Sequence, residues 1–231
     1  MNYLNSLLEN KIDPSLPGFF SGSIKKGYNL ANELVKRETD LQLPEAKITH
    51  GNIRHAYVDL LLKHELINSN INLKMESNLV VPNGYSYLTF TSKNYIFTVN
   101  KTTKKSALPK IAKNRIFLSQ LNKDIPIYRQ MSIFDQNADE KINTKDEKNN
   151  IEDEKIYLMI TYGGVGFNLE YVEIGLPDVG AKKWLYQKNI TNSLSIVQPA
   201  TDSEKYDLKL KFKNEVKQKL NKEQKNDGGT I

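Results

Sequence analysis

The apolar period of this chain changes near Leu79 from helical to extended, which restricts it to folds that hold both helices and a sheet. Before the change, Ile24, Tyr28, Ala31 and Val35 recur at helical spacing. They predict an amphipathic helix to about Arg37, with Ser21 and Ser23 as caps and the preceding Pro14 to Gly22 as a loop. Ile53, Ala56, Tyr57, Leu60, Leu61 and His64 mark one face of a second helix, from about Asn52 to Leu66. After the change, Leu79 to Val81 is a short apolar run and Pro82-Asn83-Gly84 a turn. "YSYLTFT" and "NYIFTVN" then flank Ser92-Lys93-Asn94 and are rich in β-branched and aromatic residues, which predicts a hairpin with its tip at Lys93.

Further on, Pro109 opens a third helix in which Ile111, Leu118 and Leu121 form a narrow stripe with Phe117 at its margin. Asp135 to Lys155 has too little apolar surface to offset its conformational entropy, so a flexible acidic insertion is expected there. "KIYLMITY", "LEYVEIGL" and "KWLYQKNI" are three strand-like runs, separated by Gly163-Gly164-Val165-Gly166 and by Pro177-Asp178-Val179-Gly180. Such short connections imply an antiparallel meander. In the tail "DLKLKFK" alternates like a strand, yet Leu208, Phe212, Val216 and Leu220 make a helical stripe behind Asp202 and Ser203, and the helix is preferred. Residues after about Lys222 are expected to be disordered. The expected class is α+β: N-terminal helices, a β-hairpin, a basic helix, an antiparallel β-meander and a C-terminal helix. One domain spans 1–200 with the acidic insertion at 135–155, and 201–231 holds the last helix and a disordered tail.

The chain has no cysteine, which excludes thiolate zinc sites, iron–sulfur clusters and cysteine nucleophiles. Met1 to Lys11 lacks the basic and then apolar pattern of a secretory signal, so a cytoplasmic protein is expected. The longest strongly apolar run, Ile156 to Ile160, is far short of the ~20 residues a spanning helix needs, and no membrane partner is expected. The formal charge of +6 is not evenly spread. Met1 to Ser92 carries 9 basic and 9 acidic residues, whereas Lys93 to Arg129 carries 9 against 1 and Gln130 to Lys155 carries 4 against 8.

That basic run comprises Lys93, Lys101, Lys104, Lys105, Lys110, Lys113, Arg115, Lys123 and Arg129, with Tyr95, Phe97, Phe117 and Tyr128 interleaved. Cations neutralise phosphates and aromatic faces stack on unpaired bases, so the composition suits nucleic acid. It also suits a solvated lysine-rich loop whose aromatics face the core, or a dock for an acidic protein, the chain's own 135–154 segment included. His50, His55 and His64 lie within fifteen residues, and His55 with Asp59 four residues on could pair on a helix. His55 and His64 fall about 180° apart at ~100° per residue, however, so a solvent-facing His55 and a core-edge His64 are expected and no metal site. The Glu-x-Lys pair of restriction-type nucleases is missing, because Val99 stands two residues before Lys101. Glu170 and Glu173 have an odd spacing that points them to opposite strand faces. The glycines at 163, 164 and 166 lead into a strand with no Walker lysine, which reads as a hairpin turn. No cofactor is expected.

The order of a helix, "YIFTVNKT", "KIAKNRIFLSQL", a spacer and "LMITYGG…LEYVEIGLPD…KKWLYQ" resembles uncharacterised bacterial proteins from phage-related and mobile-element loci. The resemblance covers roughly Gly51 to Ile190. It implies a bacterial accessory or defence setting and assigns no residue a role. The leading expectation is a non-enzymatic protein that binds nucleic acid through 93–129 with little sequence reading. The alternatives are a toxin-like or defence effector, nuclease included, held in check by a partner protein, and a protein-interaction module.

Overall fold

A computed structural model of the chain describes residues 3–80, 85–125 and 155–194. The expected turn at Pro82-Asn83-Gly84, the insertion over 135–154, the C-terminal helix of 201–231, and Tyr128 and Arg129 all lie outside the described residues. The class is α+β, with the N-terminal helices on one face of a six-stranded mixed sheet.

α1 (Tyr3–Asn10) buries Leu4, Leu7 and Leu8. α2 (Ser15–Arg37) starts at Ser15, so the stretch expected as a loop is helical. Its start is fixed by Asp13, whose Oδ1 accepts hydrogen bonds from the Ser15 N–H at 2.9 Å and from the Ser15 hydroxyl at 2.7 Å. Pro17 is tolerated because it falls in the first turn, where backbone N–H groups have no intrahelical acceptor. The added turns bury Phe19 and Phe20, and Phe20 meets Phe90 and Phe97 with ring centroids 5.5 and 5.4 Å away. Ser21 and Ser23 are therefore buried mid-helix residues instead of caps, and the Ser21 hydroxyl donates to the Thr191 carbonyl at 2.7 Å.

α3 (His50–Ile67) matches the expected extent, but its buried face is Val58, Leu61, Leu62, Glu65 and Leu66. Ala56 is exposed, and Ile53, Tyr57 and Leu60 are half-buried. The face turns because α2 supplies a partner: Lys26 Nζ lies 2.9 Å from Glu65 Oε1, so a carboxylate is buried where the apolar pattern favours His64. At Gly27 the helices close tightly, since a Cβ there would stand 2.8 Å from the Val58 Cα.

The strands are β1 (Lys74–Val80), β2 (Tyr85–Thr91), β3 (Tyr95–Lys101), β4 (Ile156–Val165), β5 (Asn168–Pro177) and β6 (Trp184–Asn189), in spatial order β1-β2-β3-β4-β5-β6. The β2–β3 hairpin and the β4–β5–β6 meander pair antiparallel, as expected. β1, begun at Lys74, adds a strand to the hairpin. β3 and β4 pair parallel, with Tyr95 opposite Ile156 and Lys101 opposite Tyr162. A parallel pair needs a crossover connection, and here the crossover is the segment that carries the basic run.

Alternation divides the sheet. Tyr95, Phe97, Val99, Leu158, Ile160, Tyr162, Val172 and Ile174 join α1, α2 and α3 in one core. On the other face Tyr157 and Met159 pack with Leu108, Leu118 and Trp184, which belong to the crossover and to β6. Asn122 pins the crossover down, donating to the Tyr157 and Pro177 carbonyls at 3.0 Å each and accepting from the Tyr157 N–H at 2.9 Å. Its amide bridges Tyr157 and Pro177 just beyond the last β4–β5 pair, Met159 opposite Gly175. Among the described residues no helix is long and apolar enough to cross a membrane.

Candidate nucleic-acid interface

After β3 the chain leaves the sheet at Thr102, crosses the face opposite α1, α2 and α3 and forms there the short α4 (Lys113–Ser119), followed by a 3-10 turn at Gln120–Asn122. The expected longer helix from Pro109 is cut to these residues, with Ala112 extended before it. The loop is anchored at Ser106. Ser106 takes the left-handed conformation, φ 59°, and both its N–H (2.8 Å) and its hydroxyl (3.3 Å) donate to Glu173. Gln187 also donates to Glu173 at 3.0 Å, and the Trp184 indole donates to the Ser106 carbonyl at 3.1 Å. Glu173 is thus a buried anchor for the loop. Glu170 is exposed beside the bulge at Gly163/Gly164, and the two carboxylates do not converge.

Lys104 and Lys105 directly precede the anchored Ser106, and both are exposed. Lys110 and Lys113 are exposed around Ile111. Arg115 has a different role, because its Nη1 donates to Asn100 Oδ1 at 2.9 Å and its Nη2 donates to the Lys110 carbonyl. Asn100 donates in turn to the Thr98 hydroxyl at 2.9 Å, which lies 2.7 Å from the Tyr157 hydroxyl. Burial pushes the Tyr157 phenol far above its ordinary pKa, so it stays protonated in this network. Arg115 therefore ties the crossover to the sheet.

Lys93 sits in the β2–β3 turn, at the opposite end of β3 from Lys101. The seven-residue strand separates them by about 20 Å at ~3.3 Å per residue. Lys123 is exposed beside Asp124, 3.9 Å away. Of the interleaved aromatics, Tyr95 and Phe97 are buried in the helix-side core. Phe117 is different. It is 76% exposed, one turn after Lys113 on α4, with Ile111 69% exposed nearby in the chain.

Two lysines missed by the sequence reading join this surface. The β5–β6 turn is bound to the end of α4 by the Gly180 N–H, which donates to the Ser119 hydroxyl at 2.9 Å, and it presents exposed Lys182 and Lys183. Asp178 shapes that turn by accepting from both their backbone N–H groups at 2.6 and 2.9 Å. The doubled lysine after a Pro-Asp turn was the available signal.

Lys101 points to the helix side, where the start of α3 brings other groups to the end of β3. Its neighbour there is Gly51. Burial and the Arg54 charge lower the Lys101 pKa. His55 is not solvent-facing as expected: its Nδ1 shares a 3.0 Å hydrogen bond with the Tyr162 hydroxyl and lies 3.8 Å from Asp59. His64 lies at the core edge, 4.0 Å from Glu65. Among the described residues no group of three or more His, Asp or Glu is placed to hold a metal ion.

Fold and surface together define an α+β protein whose lysine-bearing crossover is fastened over the sheet face opposite the N-terminal helices. Comparison with protein-family models, with curated proteins and with solved structures gives no match.

Proposed function

We propose that the crossover surface formed by Lys104, Lys105, Lys110, Lys113 and Phe117, with Lys182 and Lys183 at its flank, binds nucleic acid in the cytoplasm, with little sequence reading and a preference for single strands. The observation that carries this reading is Phe117. A large aromatic ring exposed to 76% on a lysine-bearing helix, with Ile111 and Leu121 exposed close by in the chain, is apolar surface of the kind that interaction sites carry. An unpaired base does so by stacking, while the lysines track the phosphates. Ser106 and Glu173 support the reading by holding the loop lysines in place without using their charges. A bacterial phage-related or mobile-element setting remains part of the proposal through the resemblance alone.

Ile111 and Leu121, both exposed beside the same lysines, favour a second reading in which an acidic amphipathic protein segment docks here. Phe117→Ala separates the two, measured by fluorescence anisotropy against a labelled single-stranded oligonucleotide. Loss of one stacked base should weaken binding by about 1–3 kcal/mol while stability stays within about 0.5 kcal/mol. A wild-type chain that binds no oligonucleotide moves the assignment to the protein partner.

A further inference from the structure

The geometry points to a second site, on the helix side of the sheet at the end of β3, built from Arg54 and Lys101 to take a phosphate group. Lys101 ends β3 opposite Tyr162 of β4, and the first turn of α3 lies over that end. A Cβ at Gly51 would come 3.2 Å from Lys101 Nζ, so glycine leaves the ammonium room against the helix. One turn along, the Arg54 guanidinium is held between two rings, 5.7 Å from the Tyr28 centroid and 5.5 Å from the Phe167 centroid. Its Nε donates to the His50 carbonyl at 3.3 Å, which fixes the plane of the fork. Phe167 also lies against the His50 ring, with centroids 5.2 Å apart, and closes the site from the β4–β5 turn.

The charges in this corner do not balance locally. Arg54 Nη1 is buried and has no hydrogen-bond partner. No carboxylate among the described residues forms an ion pair with either Arg54 or Lys101. Glu170 is exposed, and its charge is felt at Tyr28, one of the two rings that flank the guanidinium, without an ion pair to Arg54. Two cations close enough to repel, one with a buried donor left over, form a set of donors without an acceptor. A tetrahedral oxyanion supplies what is absent, with one oxygen on the buried Nη1 and another on the ammonium. Arginine's rigid fork and lysine's point charge together suit phosphate better than a planar carboxylate, which a single arginine satisfies.

This site does not rest on the proposed crossover interface, and its test is independent. The full chain is titrated with inorganic phosphate by calorimetry at constant ionic strength, with chloride as the balancing ion. Saturable binding near one equivalent is expected, weakened at least tenfold in Lys101→Gln and in Arg54→Lys, and unchanged in Phe117→Ala. Lys101 is exposed, so Lys101→Gln stays folded even if Arg54→Lys does not. A second arm compares 5′-phosphorylated with unphosphorylated oligonucleotide. Tighter binding of the phosphorylated strand in wild type but not in Lys101→Gln assigns the site to a nucleic-acid end, and equal binding of both strands beside saturable inorganic phosphate assigns it to a small phosphorylated molecule. Phosphate binding that is absent, or unaltered in Lys101→Gln, overturns the proposal.

Discussion

Asp59 shows how a single side chain reports on its surroundings. Burial raises its pKa, and His55 at 3.8 Å and Lys63 draw it only partly back. A raised carboxyl pKa means that the fold favours the protonated form, so the ionised group works against stability above the raised value. That cost vanishes as pH falls below the ordinary carboxylate value. Asp59→Asn should therefore raise the thermal midpoint by a few degrees at pH 7, and the gap over wild type should close on acidification. A gap that widens toward low pH would mean that the His55 pair outweighs burial. His55 and Asp59 were visible as a helical pair in the sequence, whereas the Tyr162 hydroxyl that bonds His55 comes from a strand 107 residues away. Arg115 and Lys101 carry the same lesson. Their charge is readable from the sequence, but the destinations of their side chains depend on Asn100 and on which face β3 turns toward α3.

At the scale of elements, local pattern succeeded where local chemistry decides. The β2–β3 hairpin and the β4–β5–β6 meander follow from β-branched and aromatic runs between turn residues, and both formed. α2 defeated the pattern because Pro14, Pro17, Gly18 and Gly22 read as loop, although prolines are harmless at a helix start, here held by the Asp13 carboxylate that accepts from the Ser15 N–H. α3 was found but rotated, since Lys26 makes Glu65 a core residue. The rotation is testable with two neighbours. Leu61 is fully buried and Leu60 only partly, so Leu61→Ala should cost about 2–5 kcal/mol in urea denaturation and Leu60→Ala a fraction of that. Equal losses would restore the face drawn from periodicity alone. α4 was expected to bury Ile111, yet the short helix leaves Ile111 and Phe117 outside and is held through Asn122, Ser119 and Arg115 instead.

For the molecule as a whole, the decisive fact is the parallel pairing of β3 with β4, which no local signal encodes because hairpin and meander look the same in sequence whichever way they are joined. The pairing sends the most basic stretch of the chain across the face opposite the N-terminal helices, and the Glu173 and Asn122 anchors turn what reads as a solvated loop into a fastened surface. Lysine exposure was legible from composition. The loss of Tyr95 and Phe97 to the core, and the gain of Lys182 and Lys183, required the sheet. The central claim is that this surface meets phosphates through Lys104, Lys105, Lys110 and Lys113. Anisotropy of a labelled oligonucleotide, followed from low to moderate salt, tests it most directly. The account predicts a linear fall of log affinity with log salt, whose slope drops by about 0.7 to 0.9 for each of these lysines replaced by glutamine, ending in a quadruple variant that folds normally and does not bind. A wild-type protein with no salt-dependent binding at low ionic strength, or a quadruple variant that binds as wild type does, would contradict it.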